Sequence, residues 1–293
     1  MRLLTTAEAA EYLRIKERKL YELVAESALP GTKATGRWLF PQEELDRWLA
    51  AGMVRPEGMP PPEPMPIVGG SHDPLLEWAL LESHSGLAML PEGSESGMQR
   101  FAKGEIVAAA LHLHALTGEG DANVEAMKTR GDLNDAVLIA FTRREQGLVV
   151  AGGNPLGIKS LEDAVVKRAR MAIRPNGAGA QLLLEALLHR IKADPEALVR
   201  LDPPCPTGPD IAQAIRAGRA DCGIATRSVA NAAGLGFVPL LWEQFDIVMR
   251  QRHYFRPPLQ KFVTFLRTPA LARRAAEMGG YDVGGAGEVR FAR

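Results

Sequence analysis

The residues of this 293-residue chain whose types could do chemistry are few, and their spacing favours binding over turnover. His112 and His114 form a His-x-His pair, which on a strand puts both imidazoles on one face about 7 Å apart, near enough to share a metal. Only His72, Asp73 and His84 offer themselves as further ligands, so the pair reads as two polar strand-end histidines and no metal is expected. Glu243 and Asp246, three positions apart, read as a hinge or surface pair rather than a general acid and base. Cys205 and Cys222 show no Cys-x-x-Cys or Cys/His ligand spacing and are expected to be reduced packing residues. There is no Gly-x-Ser-x-Gly, P-loop or His-Glu-x-x-His motif, and the turn Gly153-Asn154-Pro155-Leu156-Gly157 is not a phosphate cradle. No catalytic residues, no enzymatic activity and no cofactor are expected.

The second chemical signature is cationic. Lys16, Arg18 and Lys19 fall together early in the chain, and Lys33 and Arg37 follow around Thr35-Gly36. Cations on a helix and an adjoining hairpin suit phosphate and groove contacts with DNA, and these five are the candidate DNA-binding residues. The whole molecule is no electrostatic magnet for nucleic acid, with 35 Lys and Arg against 35 Asp and Glu, and Glu11, Glu17 and Glu22 dilute the local field. A single copy would bind weakly because affinity follows phosphate neutralisation, so a homodimer reading two half-sites is expected.

These residues need elements to carry them. Thr5 and Thr6 cap a first helix with Ala9, Ala10 and Leu13 on its apolar face, and residues 16–25 make a second that buries Leu20, Leu23 and Val24. Short strands at 32–34 and 37–40 flank Thr35-Gly36, where glycine adopts the positive φ of a hairpin turn. Pro41 opens a third helix, 42–50, whose Leu45, Trp48 and Leu49 complete a small core. Residues 51–66 then hold six prolines and read as a semi-rigid spacer.

Beyond the spacer the pattern alternates, with strands at 66–69, 106–113, 136–141, 147–151, 169–173, 199–201 and 222–225. Helices fall between them at 73–83, 180–191 and 209–217, and a Ser160-capped helix runs to 168. This predicts an α/β fold with a largely parallel sheet. The domains are 1–51, a linker at 52–66, and 67–293. Composition is that of a globular protein, 46% hydrophobic and 24% charged, and neither a secretory signal nor a membrane span is evident, so a cytoplasmic protein without membrane contact is expected.

The run TTAEAAEYLRIKERKLYELVAESALPGTKATGRWLFPQEELDRWL, residues 5–49, resembles the excisionase-type branch of the MerR superfamily of winged helix-turn-helix proteins. The resemblance implies that the second helix is the recognition helix and that Arg37-Trp38 on the wing sits between phosphate contact and core. Downstream, GGSHDPLLE, GSESGMQRFAKGEIVAAALHLH, RREQGLVVAGGNPLGI, IRPNGAGAQLLLEALL, AIRAGRADCGIA and GFVPLLWEQFDIV follow in order. They resemble the type II periplasmic-binding-protein-like domain found fused to such modules and to molybdenum-cofactor proteins. That implies two α/β lobes joined by crossing strands, the second lobe at about 142–244, with a ligand held in the cleft and His112 and His114 at a strand end pointing towards it.

Helix N-termini at such a cleft carry free N–H groups and the positive end of the helix dipole, which suits an anion. The ligand-binding residues so implied are Ser71 after the first strand, Ser94 and Ser96 in the next Gly/Ser turn, Asn176, Gly177, Ala178 and Gly179, and Thr207 before the helix at 209. The resemblance implies molybdate or tungstate as effector. Related domains usually continue the glycine turn with a hydroxyl residue and an arginine, whereas Ala178, Ala180 and Gln181 stand here, with Gly208 in place of a histidine and Phe245 in place of a tyrosine. A small organic anion or a less charged metabolite stays open beside the oxyanion. The function expected is a one-component transcriptional regulator; the alternative is a small-molecule-binding or molybdenum-cofactor assembly protein whose N-terminal unit mediates protein contacts.

Overall fold

The computed structural model describes residues 2–53, 63–113 and 121–293, so His114 and most of the proline-rich spacer lie outside the described residues. The chain divides into two units, Met1–Pro61 and Pro62–Arg293. In the first, β1 (Leu3–Leu4) leads into α1 (Thr6–Tyr12), whose start is closed reciprocally: Glu8 N donates to Thr5 Oγ1 at 3.4 Å and Thr5 N to Glu8 Oε2 at 2.7 Å. Arg14 turns the chain at a φ of 54°, and α2 (Glu17–Ala25) follows with Lys16 as its N-cap. The expected two-strand wing is reduced to one bridge, Thr32 to Leu39, around Gly36. Its continuation, β2 (Phe40–Pro41), pairs antiparallel with β1 before α3 (Gln42–Ala51). A two-residue strand pairing at long range leaves no alternation to read in the sequence.

Leu4, Ala9, Leu20, Val24, Phe40 and Leu45 form the core of this unit. Leu49, expected there, is 44% exposed: Leu45 and Trp48 fill the inward stripe of α3, and the next position lies further round the helix.

In the second unit, β3 (Met65–Gly70), α4 (Pro74–Glu82), β4 (Ala88–Pro91), α5 (Ser94–Ala102) and β5 (Ile106–Leu111) give a parallel trio with β3 central. After α6 (Ala122–Thr129) comes β6 (Ala136–Val150), fifteen residues long. A second trio follows through α7 (Leu161–Val166), β7 (Arg170–Ala172), α8 (Gly179–Arg190), β8 (Val199–Arg200), α9 (Gly208–Arg216) and β9 (Cys222–Thr226). Then α10 (Arg227–Ala233) delivers β10 (Gly236–Arg250), also fifteen residues, which runs antiparallel to β6 along its length. Finally α11 (Gln251–Tyr254), α12 (Pro257–Leu266) and α13 (Pro269–Met278) lead to β11 (Tyr281–Asp282) and β12 (Val289–Ala292), which both add to β6.

The sheet order is β4-β3-β5-β10-β6-β9-β7-β8. Each trio is parallel, but β10 meets β5, and β6 meets β9, antiparallel, so the sheet is mixed rather than largely parallel. The two strands expected at 136–141 and 147–151 are one strand, because the polar stretch between them is paired by β10 rather than looped out.

Alternate residues of β6, buried on both faces of the sheet, build the first lobe. Val137, Ile139 and Phe141 pack towards Leu75, Leu76 and Phe262 on one side, and Ala136 and Leu138 towards Phe101 and Met127 on the other. In the second lobe Leu148 and Val150 meet the α8 stripe Leu183, Leu184, Leu187 and Leu188, while Val149 meets Ile211, Ile215 and Val229. Each fully buried leucine contributes about 1.5–3 kcal/mol. Cys222 and Cys205 are free thiols within these clusters, and burial pushes Cys222 up to about 12.

Glu243 and Asp246 are buried residues of β10, not a surface pair. Asp246 accepts from Asn123 Nδ2 and Gln244 Nε2, each at 2.9 Å, and pairs with Arg290 of β12. Burial pushes its carboxyl up to about 6 against the pull of Arg290. A raised folded-state value means that stability from the protonated carboxyl is fully present below its unfolded value near 4 and is lost as pH rises through about 6. Urea denaturation should therefore show the wild type losing about 2–3 kcal/mol relative to Asp246→Asn between pH 4 and pH 7. A difference that stays flat with pH would show the carboxyl to be charged throughout.

Candidate functional site

Where β6 and β10 pass side by side, the polar residues of β6 alternate: Arg144 and Gln146 are buried and Arg143 is exposed. Arg144 lies opposite Glu243 in the ladder and donates from Nε to Glu243 Oε1 at 2.6 Å, and Gln146 Nε2 donates to the same oxygen at 2.8 Å. Asp73 caps α4 through Oδ1, accepting from Leu75 N at 2.9 Å and Leu76 N at 3.0 Å. Its Oδ2 accepts from Arg144 Nη1 at 2.8 Å and from the Tyr281 hydroxyl at 3.1 Å. Tyr281 is 2.8 Å from Ser228 Oγ, which is 2.8 Å from Thr226 Oγ1, so a polar chain runs from the start of α4 in the first lobe to that of α10 in the second. The Phe245 ring lies 4.0 Å from the guanidinium carbon. Burial pulls the Arg144 guanidinium down, but Glu243 and Asp73 outweigh it and hold the group above its ordinary value. Burial, reinforced by Asp73, raises the Tyr281 phenol well above its ordinary value, so at neutral pH it is a donor.

Above this floor is a cavity of about 30 Å³. The starts of five helices line it: His72 and Pro74 at α4, Gly93 at α5, Ala178 and Gly179 at α8, Gly208 at α9, and Thr226 at α10. No side chain caps α5, α8 or α10, so their first-turn N–H groups face the cleft without a side-chain acceptor. Arg174, beyond the end of β7, and Gln146 supply the side-chain hooks. Arg174 Nε and Gln146 Oε1 have no hydrogen-bond partner among the described residues. Burial pulls Arg174 down to about 10, which leaves it cationic at neutral pH. Position 179 must be glycine, because a Cβ there would come within 2.1 Å of His112 Nε2. Donors, a helix-dipole field and a cation without a carboxylate at hydrogen-bond distance among the described residues make surroundings that suit an anion chemically.

The structure brings some of the expected ligand residues here and not others. Ser71 lines the cavity and its Oγ is 2.6 Å from that of Ser94, which accepts from His112 N at 3.3 Å. Ser94 begins α5 rather than lying in a turn, and Ser96 is exposed in the first turn of that helix, outside the lining. Ala178 and Gly179 line the cavity, whereas Asn176 is exposed, and Gly177 instead accepts from Glu95 N across the cleft at 3.5 Å. The Thr207 hydroxyl caps α9 with Asp210, donating to it at 2.6 Å, and is committed there. His112 is buried at the cavity wall, and no group of metal-ligating residues occurs among the described residues. Sequence reasoning missed Arg144, Gln146 and Arg174. The signal for the first two was a polar run, Thr142 to Gln146, inside the otherwise apolar AVLIAFTRREQGLVV.

In the first unit Lys16, Arg18, Lys19, Lys33 and Arg37 are all exposed. Arg18 and Lys19 each reach Glu22 at 3.3 Å, and Lys33 lies 5.9 Å from the Trp38 ring, which stacks on the core residue Phe40. Arg18 and Lys19 are surface cations whose acidic partner, Glu22, is solvent-exposed, so that carboxylate can be exchanged for phosphate at small cost.

A helix-turn-helix unit followed by two α/β lobes around an anion-suited cleft defines a DNA-binding module joined to a domain of the ligand-binding type. The family comparison agrees: the PBP superfamily domain matches residues 79–267 and a helix-turn-helix domain matches residues 3–53, and the chain belongs to the PBP superfamily. YvgK of Bacillus subtilis (strain 168), described as uncharacterized, is 24% identical over 304 residues, covering 97% of this chain and 96% of its own. Among solved structures, hydrogen-peroxide-bound OxyR of Corynebacterium glutamicum, in a cysteine-to-serine mutant, superposes with a TM-score of 0.53 at 12% identity over 94% of this chain and 89% of that one. The tungstate ABC transporter from Geobacter sulfurreducens gives a TM-score of 0.50 at 14% identity over 72% of this chain and 98% of that one. At these identities the structural likenesses speak for fold alone. No helix among the described residues is long and apolar enough to cross a membrane.

Replacing Arg144 with Met strands two buried carboxylates and should lower stability by about 3–5 kcal/mol in chemical denaturation, with part of the loss recovered in Arg144→Met/Glu243→Gln. A loss below about 1 kcal/mol would mean that the carboxylates do not depend on this cation.

Proposed function

We propose that the protein is a one-component transcriptional regulator of MerR type, acting as a cytoplasmic homodimer on two DNA half-sites and sensing a small anion between the lobes of its second unit. The observation that carries this reading is the joining, in one chain, of a helix-turn-helix domain to a cavity where uncapped helix starts converge beside Arg174, whose Nε has no partner among the described residues. Lys16, Arg18 and Lys19 at the start of α2 and Lys33 and Arg37 on the wing supply the DNA contacts. Ser71, the backbone of Gly179 and Ala180, and Arg174 supply the anion contacts. Molybdate, tungstate and small organic anions all fit that donor set. The hydroxyl and arginine absent from positions 178, 180 and 181 are offset by Ser71 and by Arg174 arriving from β7. Ligand can alter DNA binding only through its differential affinity for the two states of the cleft.

A thermal-shift screen of molybdate, tungstate, sulfate, phosphate and small carboxylates tests the sensor. At about a hundred times its Kd, a ligand adds about 2.7 kcal/mol of stability. The shift should vanish in Arg174→Ala, whose ligand-free midpoint stays near wild type. An unchanged shift in the variant would remove Arg174 from the site, and no shift with any anion would defeat the anion reading.

Gel-shift titration over a salt series tests the other half. Arg18→Ala and Arg37→Ala should each weaken binding across DNA sequences and reduce the salt slope by about 1. Binding without salt dependence would favour a protein-contact role for the first unit.

A further inference from the structure

A second space adjoins the cavity and is much larger, about 640 Å³ against about 30 Å³. Pro74 of α4 and Val229 of α10 line both. The larger space is a trough with Pro209 and Ala212 of α9 and Ala232 and Ala233 of α10 along one lobe and Met278 from the other. Small side chains on two adjacent helices leave this room, and Gln213, Arg216 and Ser228 are its polar lining. Gly208 lines the cavity beside this shared residue, and a Cβ there would lie 3.2 Å from Val229 Cγ2, so a side chain would crowd the side of the cavity nearest the trough. The volume falls within the roughly 300–1,000 Å³ of small-molecule sites, and the lining has their character, mostly apolar with a few polar groups.

We infer that the ligand is an amphiphilic small anion: a carboxylate or phosphate head held at the helix starts beside Arg174, carrying an aliphatic or aromatic body that lies in the trough. This rests on the anion reading of the cleft given above. The cavity alone accommodates only a head, so anything larger must extend, and the trough is the apolar space that shares Pro74 and Val229 with it. A bare oxyanion would satisfy the donors and leave the apolar walls of α9 and α10 in water, forgoing the gain from their burial.

Calorimetric titration of the full chain with matched probes decides the matter: phosphate against phenyl phosphate, acetate against phenylacetate, and molybdate alone. The member of each pair that carries a ring should bind at least about tenfold tighter than its bare partner and tighter than molybdate. Ala232→Trp, at an exposed position on α10, fills the trough and should erase the gap within each pair while leaving phosphate and acetate unchanged. Equal affinities within the pairs, tighter binding of molybdate, or a gap that survives Ala232→Trp would overturn the inference while leaving the anion site intact. Failure of every probe to bind would overturn the anion site and the amphiphile together.

Discussion

Arg144 is buried at the waist of the second unit, and much of the cleft follows from keeping that charge neutralised away from water. Glu243 must stand opposite it on β10, and Asp73 must reach it from α4 while capping that helix. Tyr281 must bring its hydroxyl to the same Asp73 oxygen that Arg144 engages, which fixes the segment after α13 against the start of α10. A guanidinium with several fixed donors suits this work because it can address two carboxylates in defined directions and still lie flat on Phe245. The price of a charge in such a place is high if any partner is lost, so the residues around it are constrained as a set.

With Arg144 committed to carboxylates, the charge presented to a ligand comes from elsewhere. Arg174 arrives from the second lobe, at the end of a strand, and the helix starts contribute partial charges from both lobes. On the anion reading proposed above, a ligand gripping these groups would touch α4 and α5 on one side and α8, α9 and α10 on the other, and would favour whichever arrangement of the lobes brings these starts together. The contact of Glu95 N with Gly177 O spans the same gap.

Much of the architecture was legible in sequence because it rests on local pattern. The capping of α1 by Thr5, the leucine stripe of α8 and the Ser160 cap of α7 are short-range signals, and the structure shows each. What escaped reading depends on residues far apart in the chain. The β1–β2 pair joins positions nearly forty residues apart through two residues each. The unbroken course of β6 was hidden by its polar centre, which is paired rather than looped, and Glu243 became a buried partner only because β10 returns beside it. The turns gave the cleft its backbone donors from sequence; they did not give its cations, since Arg174 precedes its turn and Arg144 sits within a strand. Ser96 and Asn176 show the converse error, residues of suitable type at turns of suitable place whose side chains face solvent.

The two long strands carry a mechanical implication. At about 3.3 Å per residue each is a rod of roughly 50 Å, and together they form a ribbon that runs through both lobes without a flexible loop. The ladder slips register at Pro239/Leu241 and at Phe245/Asp246, and such slips bend a strand and increase its local twist, so the course of the ribbon between the lobes is set at these two places. The second of these slips includes the ring on which Arg144 rests. The bend in the ribbon and the buried charge of the cleft floor are therefore neighbours along β10.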